Sequence, residues 1–182
     1  MRFTHRNGLS LGKAEREDLD LLYNNYGESW KGHHNFAVIN RSDQENWYKS
    51  LNDRSLVLIA YDETNYPVGL YKMANMDRHN NCYDSGHDVF PDSRGKGLGS
   101  QVLMAGVDFG MEIMGFHRIN TEVRQDNPAS IKNALSVGYI YEGMRRKAVY
   151  CQGEYINSLV YGLVREDWLK LTRVMEGKKL FV

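Results

Sequence analysis

No long apolar run occurs in this chain of 182 residues. The longest purely aliphatic stretch, Leu56 to Ala60, falls far short of the ~20 residues that a membrane-crossing helix needs. Met1 to Leu11 carries Arg2 and Arg6 but no apolar core, so no secretory signal is expected. Charge of one sign is missing as well. With 23 basic and 23 acidic residues the formal net charge is +0, so neither nucleic acid nor a membrane is expected as a partner. Cysteine is scarce. Cys82 and Cys151 cannot make a disulfide scaffold, which suits a reducing compartment and a cytoplasmic location. Adjacent His33 and His34 lack a further ligand at metal-binding spacing, so a solvated loop and no metal are expected there. Repeats, linkers and low-complexity segments are also absent. The length suits a single domain over residues 1–182, with its core between about Leu9 and Trp168.

What the chain does have is a glycine loop, Val89-Phe90-Pro91-Asp92-Ser93-Arg94-Gly95-Lys96-Gly97-Leu98-Gly99-Ser100. The stretch Tyr83 to Phe90 before it reads as a strand. After it, Leu98, Val102, Ala105, Phe109 and Ile113 recur at helical spacing. Glycines let the backbone turn tightly and bring several N–H groups to one anion. The following helix adds its own unpaired N–H groups and the positive end of its dipole. Arg94 and Lys96 add charge, so the loop is a phosphate cradle in outline. A P-loop is excluded, because Phe90 stands where its first glycine belongs and Gly97 follows Lys96. A dinucleotide G-x-G-x-x-G fits at Gly95 and Gly97 but has Ser100 in third place. An R-G-x-G-x-G pattern is complete in Arg94, Gly95, Gly97 and Gly99. An ordinary glycine turn capping a helix is the bland alternative.

In chain order, Leu9 to Leu11 reads as a short first strand and Ala14 to Tyr26 as a helix with Leu19, Leu22, Tyr23 and Tyr26 on one face. Gly27 to Asn40 reads as irregular. Ser42 with Glu45 forms a capping box for a helix carrying Trp47, Tyr48 and Leu51 inward. Leu56–Tyr61, Val68–Asn75 and Cys82–Val89 read as a meander, with turns at Asp62–Pro67 and Met76–Asn81. A dinucleotide fold places its fingerprint in the first βα turn of a parallel sheet, so a motif behind a meander counts against it. The spacing then predicts a helix over Leu98–Met114, a stop at Gly115 and a strand over Arg118–Val123, parallel to Cys82–Val89 because a helical crossover joins them. Asn127 or Asp126 caps a further helix that starts at Pro128 and ends before Gly138. Tyr139–Tyr150 and Tyr155–Val164 form a hairpin around Gln152-Gly153, and Trp168–Val182 reads as a terminal helix and tail.

The second half resembles the GNAT superfamily of N-acetyltransferases. Beyond the R-G-x-G-x-G loop, Asn127-Pro128-Ala129-Ser130, then Gly138-Tyr139 eight positions on and Glu142-Gly143, resembles that family's N-x-x-S, G-F and E-G stretch. Gly153 to Tyr161, ending at Asp167-Trp168, resembles its RimJ/RimL-like and amino-sugar branches, as does the helix around Trp47. The likeness covers roughly Leu9 to Trp168. It implies an α/β (α+β) GNAT fold: a mixed, mostly antiparallel, twisted sheet of about seven strands, flanked by helices, with a central parallel pair splayed apart. It also implies acetyl-CoA in the gap, as co-substrate and without a metal. The pantetheine would pair with backbone at Val89 and the Pro91 carbonyl. The pyrophosphate would lie on Arg94, Gly95, Lys96, Gly97, Leu98, Gly99 and Ser100, with Asn127 on the pantetheine and Lys132 and Asn133 near the adenosine.

Acetyl transfer needs a group to take a proton from the amine, donors for the oxyanion and a proton for the leaving thiolate. Glu122, in Thr121-Glu122-Val123-Arg124, looks like the general base of RimI-type relatives, and Asp88, Asp84 and His87 are its rivals. Strand alternation sets Asp88 and His87 on opposite faces, so at most one of them enters the cleft. The acid departs from the pattern: Ala134 stands where many relatives have a tyrosine, leaving Ser130 as the candidate. Asn157 replaces a usual aspartate, and polyamine acetyltransferases can carry asparagine there. Cys151 has no neighbouring base, so direct transfer is expected rather than a covalent intermediate. The expected activity is acetyl transfer from acetyl-CoA to a primary amine of a small molecule such as an amino sugar, or of a protein N-terminus. A polyamine acetyltransferase, a non-catalytic acyl-CoA sensor and a nucleotide-dependent oxidoreductase are the alternatives. Trp30, Phe36, Tyr141 and Tyr150 are candidates for the acceptor pocket, with core packing as the competing explanation. Relatives often dimerise, and nothing in the sequence decides whether this chain is a homodimer.

Overall fold

The computed structural model describes residues 2–29 and 40–171. Trp30, His33, His34, Phe36 and the tail beyond residue 171 lie outside the described residues. The elements run β1 (Arg2–Thr4), β2 (Ser10–Lys13), α1 (Leu19–Ser29), α2 (Arg41–Ser50), β3 (Leu56–Tyr61), β4 (Pro67–Asp77), β5 (Cys82–Val89), α3 (Leu98–Asp108), β6 (Arg118–Arg124), α4 (Pro128–Ser136), β7 (Ile140–Cys151) and β8 (Glu154–Val164). A last helix, α5, occupies 165–171. The strands form one 8-stranded sheet in the order β1-β2-β3-β4-β5-β6-β8-β7. Every neighbouring pair is antiparallel except β5 and β6, which are parallel. The architecture is the mixed, helix-flanked one expected, with β1 as the additional strand. Three residues are too few to show a period.

The sheet is covered on both faces, which is why β3 reads as an unbroken apolar run. On one face Val57, Ile59, Leu70 and Phe90 pack with Ala14 and Leu22, and Trp47 and Leu51 close over them. On the other, Leu58, Ala60, Tyr71, Met73 and Tyr83 pack under Val102, Leu103, Ala105 and Val107 of α3. Tyr48, expected inward, stays half-buried and outside both groups.

Local chemistry moved several boundaries. A short 3-10 turn over Arg16–Asp18 precedes α1, and the Asp18 carboxylate accepts from the Glu15 N–H at 2.8 Å. The cap of α2 is Asn40 rather than Ser42. Its side chain accepts from Asp43 N at 3.0 Å and Asp43 accepts from Asn40 N at 2.8 Å. Both pairs have capping-box spacing, and the earlier one lengthens the helix, leaving Glu45 to accept from Arg16. The turn expected at Met76 is still strand: β4 continues to Asp77 through an irregularity at Ala74, with Asn75 at φ 50. The helix expected to end at Met114 gives way after Asp108 to a π-helical turn over Phe109–Ile113. Arg165 Nη1 donates to the Met111 carbonyl at 2.6 Å beside that turn. Buried Asp108 accepts from His5 Nε2 (2.8 Å), Arg6 Nη2 (2.7 Å) and Trp168 Nε1 (2.6 Å), so one carboxylate ties the turn before β2 and α5 to α3.

Candidate active site

The parallel pair is short. Cys82, Tyr83 and Asp84 align with Arg118, Ile119 and Asn120, and beyond them β5 and β6 part. Side chains bridge the vertex: Ser85 Oγ donates to the Asn120 carbonyl at 3.2 Å, and Thr121 Oγ1 donates to the Ser85 carbonyl at 3.1 Å. The gap opens into a cleft of about 490 Å³. Tyr26 and Trp47 wall it from α1 and α2, and Ser130 and Ala134 wall it from α4. Lys72, Gly86, His87, Glu122 and Arg124 reach it from the strands. A second cavity of about 700 Å³ adjoins it and shares His87, Asn127 and Ser130 with it.

The glycine loop forms one side of that second cavity. Gly95 and Gly97 have φ of +75° and +73°, and a Cβ on either would meet nothing within 4 Å. Glycine is required there by the backbone, and it leaves open space above the turn. Gly97 is the N-cap of α3, so the first amides of the helix face the same space. A Cβ at Gly99 would run into the Asn133 carboxamide, so α4 packs directly onto the loop. Val89, Arg94, Leu98, Ser100, Lys132 and Asn133 also line the cavity, whereas Lys96 does not. The Val89 carbonyl accepts from Arg94 Nε at 3.0 Å, and the Pro91 carbonyl accepts from Arg94 N at 3.1 Å. Both acceptors expected to pair with pantetheine are therefore already engaged within the loop. Asn127 is the cap of α4: its Oδ1 accepts from Ser130 N at 3.1 Å, leaving its amide nitrogen to the cavities.

Among the acid–base candidates, Glu122 faces the cleft. Its Oε2 accepts from Ser158 Oγ at 2.9 Å and its Oε1 pairs with Arg145 Nη1 at 2.8 Å. Ser130 lines both cavities. Asp88 lines only the loop cavity. Its carboxylate accepts from Asn25 Nδ2 at 3.1 Å and from Val89 N at 2.9 Å, and Arg94 stands 3.8 Å away. Asp84 is held by Asn75 and Asn120 amides and lines neither cavity. His87 enters the cleft from the opposite face, and Asn133 Nδ2 lies 3.2 Å from its Nε2. Burial lowers its pKa to about 4 against a weaker pull from Asp88, so the ring is neutral at pH 7.

Tyr139 is the core residue expected, and its hydroxyl lies 2.8 Å from Ser85 Oγ. Sequence reasoning missed one residue of the cleft. Lys72 lines the cleft from mid-strand, and a lone charge between Tyr71 and Met73 was the signal available for it. Tyr141 and Tyr150, candidates for the acceptor pocket, are exposed on β7 and pair with Tyr161 and Tyr155 instead. Cys151 receives a hydrogen bond from Arg124 Nη2 at 3.0 Å and lies outside the cleft lining. Among the described residues no helix is long and apolar enough to cross a membrane.

Residues 19–139 match the Acetyltransferase (GNAT) family. The chain belongs to that family. It is an acetyl-CoA-dependent N-acetyltransferase, which removes the oxidoreductase alternative. Its relatives include the SPbeta prophage-derived uncharacterized N-acetyltransferase YokL of Bacillus subtilis (strain 168), 28% identical over 60% of this chain and 62% of YokL. The uncharacterized N-acetyltransferase p20 of Bacillus licheniformis is 26% identical over 88% of this chain and 94% of its own length. The crystal structure of spermidine N-acetyltransferase from Vibrio cholerae, in complex with CoA and spermine, superimposes with a TM-score of 0.84 at 18% identity. That match covers 90% of this chain and 99% of the other, and it carries the fold alone.

Proposed function

We propose that the acetyl group passes directly from acetyl-CoA to a primary amine of a small molecule, with an amino sugar as the leading class and a protein N-terminus second. This keeps the chain in the RimJ/RimL-like or amino-sugar branch and in the cytoplasm. The observation that carries the reading is the adjacency of the two cavities, which share His87, Asn127 and Ser130. The glycine loop lines one and Glu122 lines the other, as transfer from a cofactor on the loop to an amine beside Glu122 requires. Amides of the Arg94–Ser100 turn and the N-terminus of α3 hold the pyrophosphate, and Lys132 and Asn133 hold the adenosine end. Acetyl-CoA supplies an activated thioester. Asn127 Nδ2 and the edge of β5 beyond Asp84 orient its pantetheine arm.

An alkyl ammonium with pKa ~10 is mostly protonated at neutral pH, so a base must free the attacking pair. Glu122 takes that proton, directly or through one water. Its ion pair with Arg145 and its bond from Ser158 hold the carboxylate in place. Ser130, on the first turn of α4, returns a proton to the leaving sulfur in place of the tyrosine absent at Ala134. Cys151 takes no part, since it lies outside the cleft lining. A polyamine acceptor is the alternative to both, favoured by the spermine-bound structural neighbour.

Calorimetric titration with acetyl-CoA, with CoA and NAD as controls, followed by thiol-release assays on an amine panel, tests the proposal. Tight binding of acetyl-CoA with turnover of at least one amine is expected. Absence of acetyl-CoA binding would overturn it.

A further inference from the structure

Lys72 stands at the centre of β4, in register with Gly86 of β5. Gly86 has no side chain to cover it, and a Cβ there would meet nothing within 4 Å. The lysine therefore looks across open space into the cleft, beneath Tyr26 and Trp47. Burial lowers its pKa against the opposing field of Asp88, a sign that its ammonium is poorly hydrated. The other charges that line the cleft are matched. Glu122 has Arg145 at 2.8 Å and Arg124 has Asp126 at 2.6 Å. Among the described residues, no carboxylate pairs with Lys72 within 4.0 Å and no oxygen accepts from it, and Asp88 acts on it only from beyond that distance.

A half-buried charge with no ion pair at contact distance is costly unless something else supplies one. We infer that the acceptor supplies it: the substrate is an amine that also carries an anionic group, a carboxylate or a phosphate, which Lys72 binds. This rests on the acetyltransferase reading above and narrows it. The register supports the geometry. Asp84 pairs with Asn120, so Gly86 is level with Glu122, and Lys72 is level with Gly86. Lys72 and Glu122 thus face the same cleft two strands apart, roughly 10 Å at the strand spacing and more where the strands part. An acceptor with an oxyanion at one end and an amine at the other matches that polarity. A polycation would place like charge against Lys72.

The test compares matched acceptors in thiol release: glycine, β-alanine, 4-aminobutyrate and 6-aminohexanoate against their carboxamides, glucosamine 6-phosphate against glucosamine, and spermidine. The wild-type chain should favour the anionic member of at least one pair by about 10- to 100-fold in kcat/KM, the worth of a charged hydrogen bond. Lys72→Gln and Lys72→Met should each bring that ratio to near one, and Lys72→Arg should retain part of it. Equal use of both members of every pair, a preference for spermidine, or a ratio that survives in both neutral variants would overturn the inference. Acetyl-CoA binding is read separately by calorimetry on the wild type, so its failure would fall on the transferase reading and not on Lys72.

Discussion

Ser85 and Thr121 are linked through the backbone of the vertex: Thr121 Oγ1 donates to the Ser85 carbonyl at 3.1 Å, one residue beyond the last aligned pair of β5 and β6. Ser85 Oγ in turn donates to the Asn120 carbonyl. Two hydroxyls thus end the parallel ladder and occupy peptide groups that would otherwise lack a partner at the start of the gap. Thr121→Val keeps the shape and removes one donor. It should lower stability by about 1 kcal/mol in urea unfolding and weaken acetyl-CoA several-fold, since the gap is no longer held at one width. Unchanged affinity with lowered stability would mean that the vertex shapes only the sheet.

Gly97 combines a φ of +73° with open space around its Cα. Gly97→Ala carries only the backbone strain of the left-handed region, about 1–2 kcal/mol, and a modest loss of binding is expected. Gly97→Glu adds a carboxylate where the pyrophosphate lies. It should abolish acetyl-CoA binding in calorimetry while circular dichroism still reports a folded chain. Equal affinities for the two variants would remove the loop from the cofactor site.

How far the sequence reveals this site can be traced residue by residue. The loop glycines were legible because positive φ and close approach demand glycine, a requirement tied to one residue type. Asn127 was legible as a cap followed by Pro128 at the helix start, and the long apolar strands were legible from burial alone. The place of Lys72 and the partner of the Tyr139 hydroxyl were not, because both depend on strands distant in sequence. The register of β4 against β5 decides what Lys72 faces, and the β5 position of Ser85 decides where the Tyr139 hydroxyl ends. The cap at Asn40 was missed because two capping boxes overlap there. The π-helical turn at Phe109–Ile113 has no composition signal, and its contact with Arg165 comes from a residue distant in sequence.

Glu122 and Arg145 lie 2.8 Å apart, which separates the roles of base and orienter. Glu122→Gln should lower kcat about 100-fold or more and flatten the acidic limb of the pH–rate profile, with little change in acetyl-CoA affinity. Arg145→Ala removes the partner that holds the Glu122 carboxylate in place, so kcat should fall several-fold with acetyl-CoA affinity little changed. A pH–rate profile that does not move in Glu122→Gln would place the base elsewhere or assign the proton to water.

Asp108 is almost fully buried and accepts three charged or polar donors at once. Asp108→Ala leaves His5, Arg6 and Trp168 without their common acceptor. A loss of about 3–5 kcal/mol in denaturant unfolding is expected. Asp108→Asn keeps one acceptor oxygen and should lose less. The cluster stands apart from the cleft, so a drop in acetyl-CoA affinity of the surviving folded fraction would contradict a purely structural role.

His87 gives the molecule a pH-dependent stability whose sign follows from its surroundings. In the unfolded chain its imidazole takes up a proton near pH 6.5, whereas burial in the fold delays this to about pH 4. Between those values the unfolded state binds more protons, so acid favours unfolding. The contribution is complete above pH 6.5 and is lost as the pH falls through the folded value of about 4. Because the ring faces an open cleft, solvent reduces the effect, and a loss on the order of 1–3 kcal/mol is expected. Urea unfolding of the wild type at pH 7.5 and at pH 4.5 should differ by more than that of His87→Gln, whose amide can still meet Asn133 but cannot titrate. If wild type and His87→Gln lose equal stability on acidification, the imidazole is hydrated and charged in the fold, and the cleft is wetter than its lining implies.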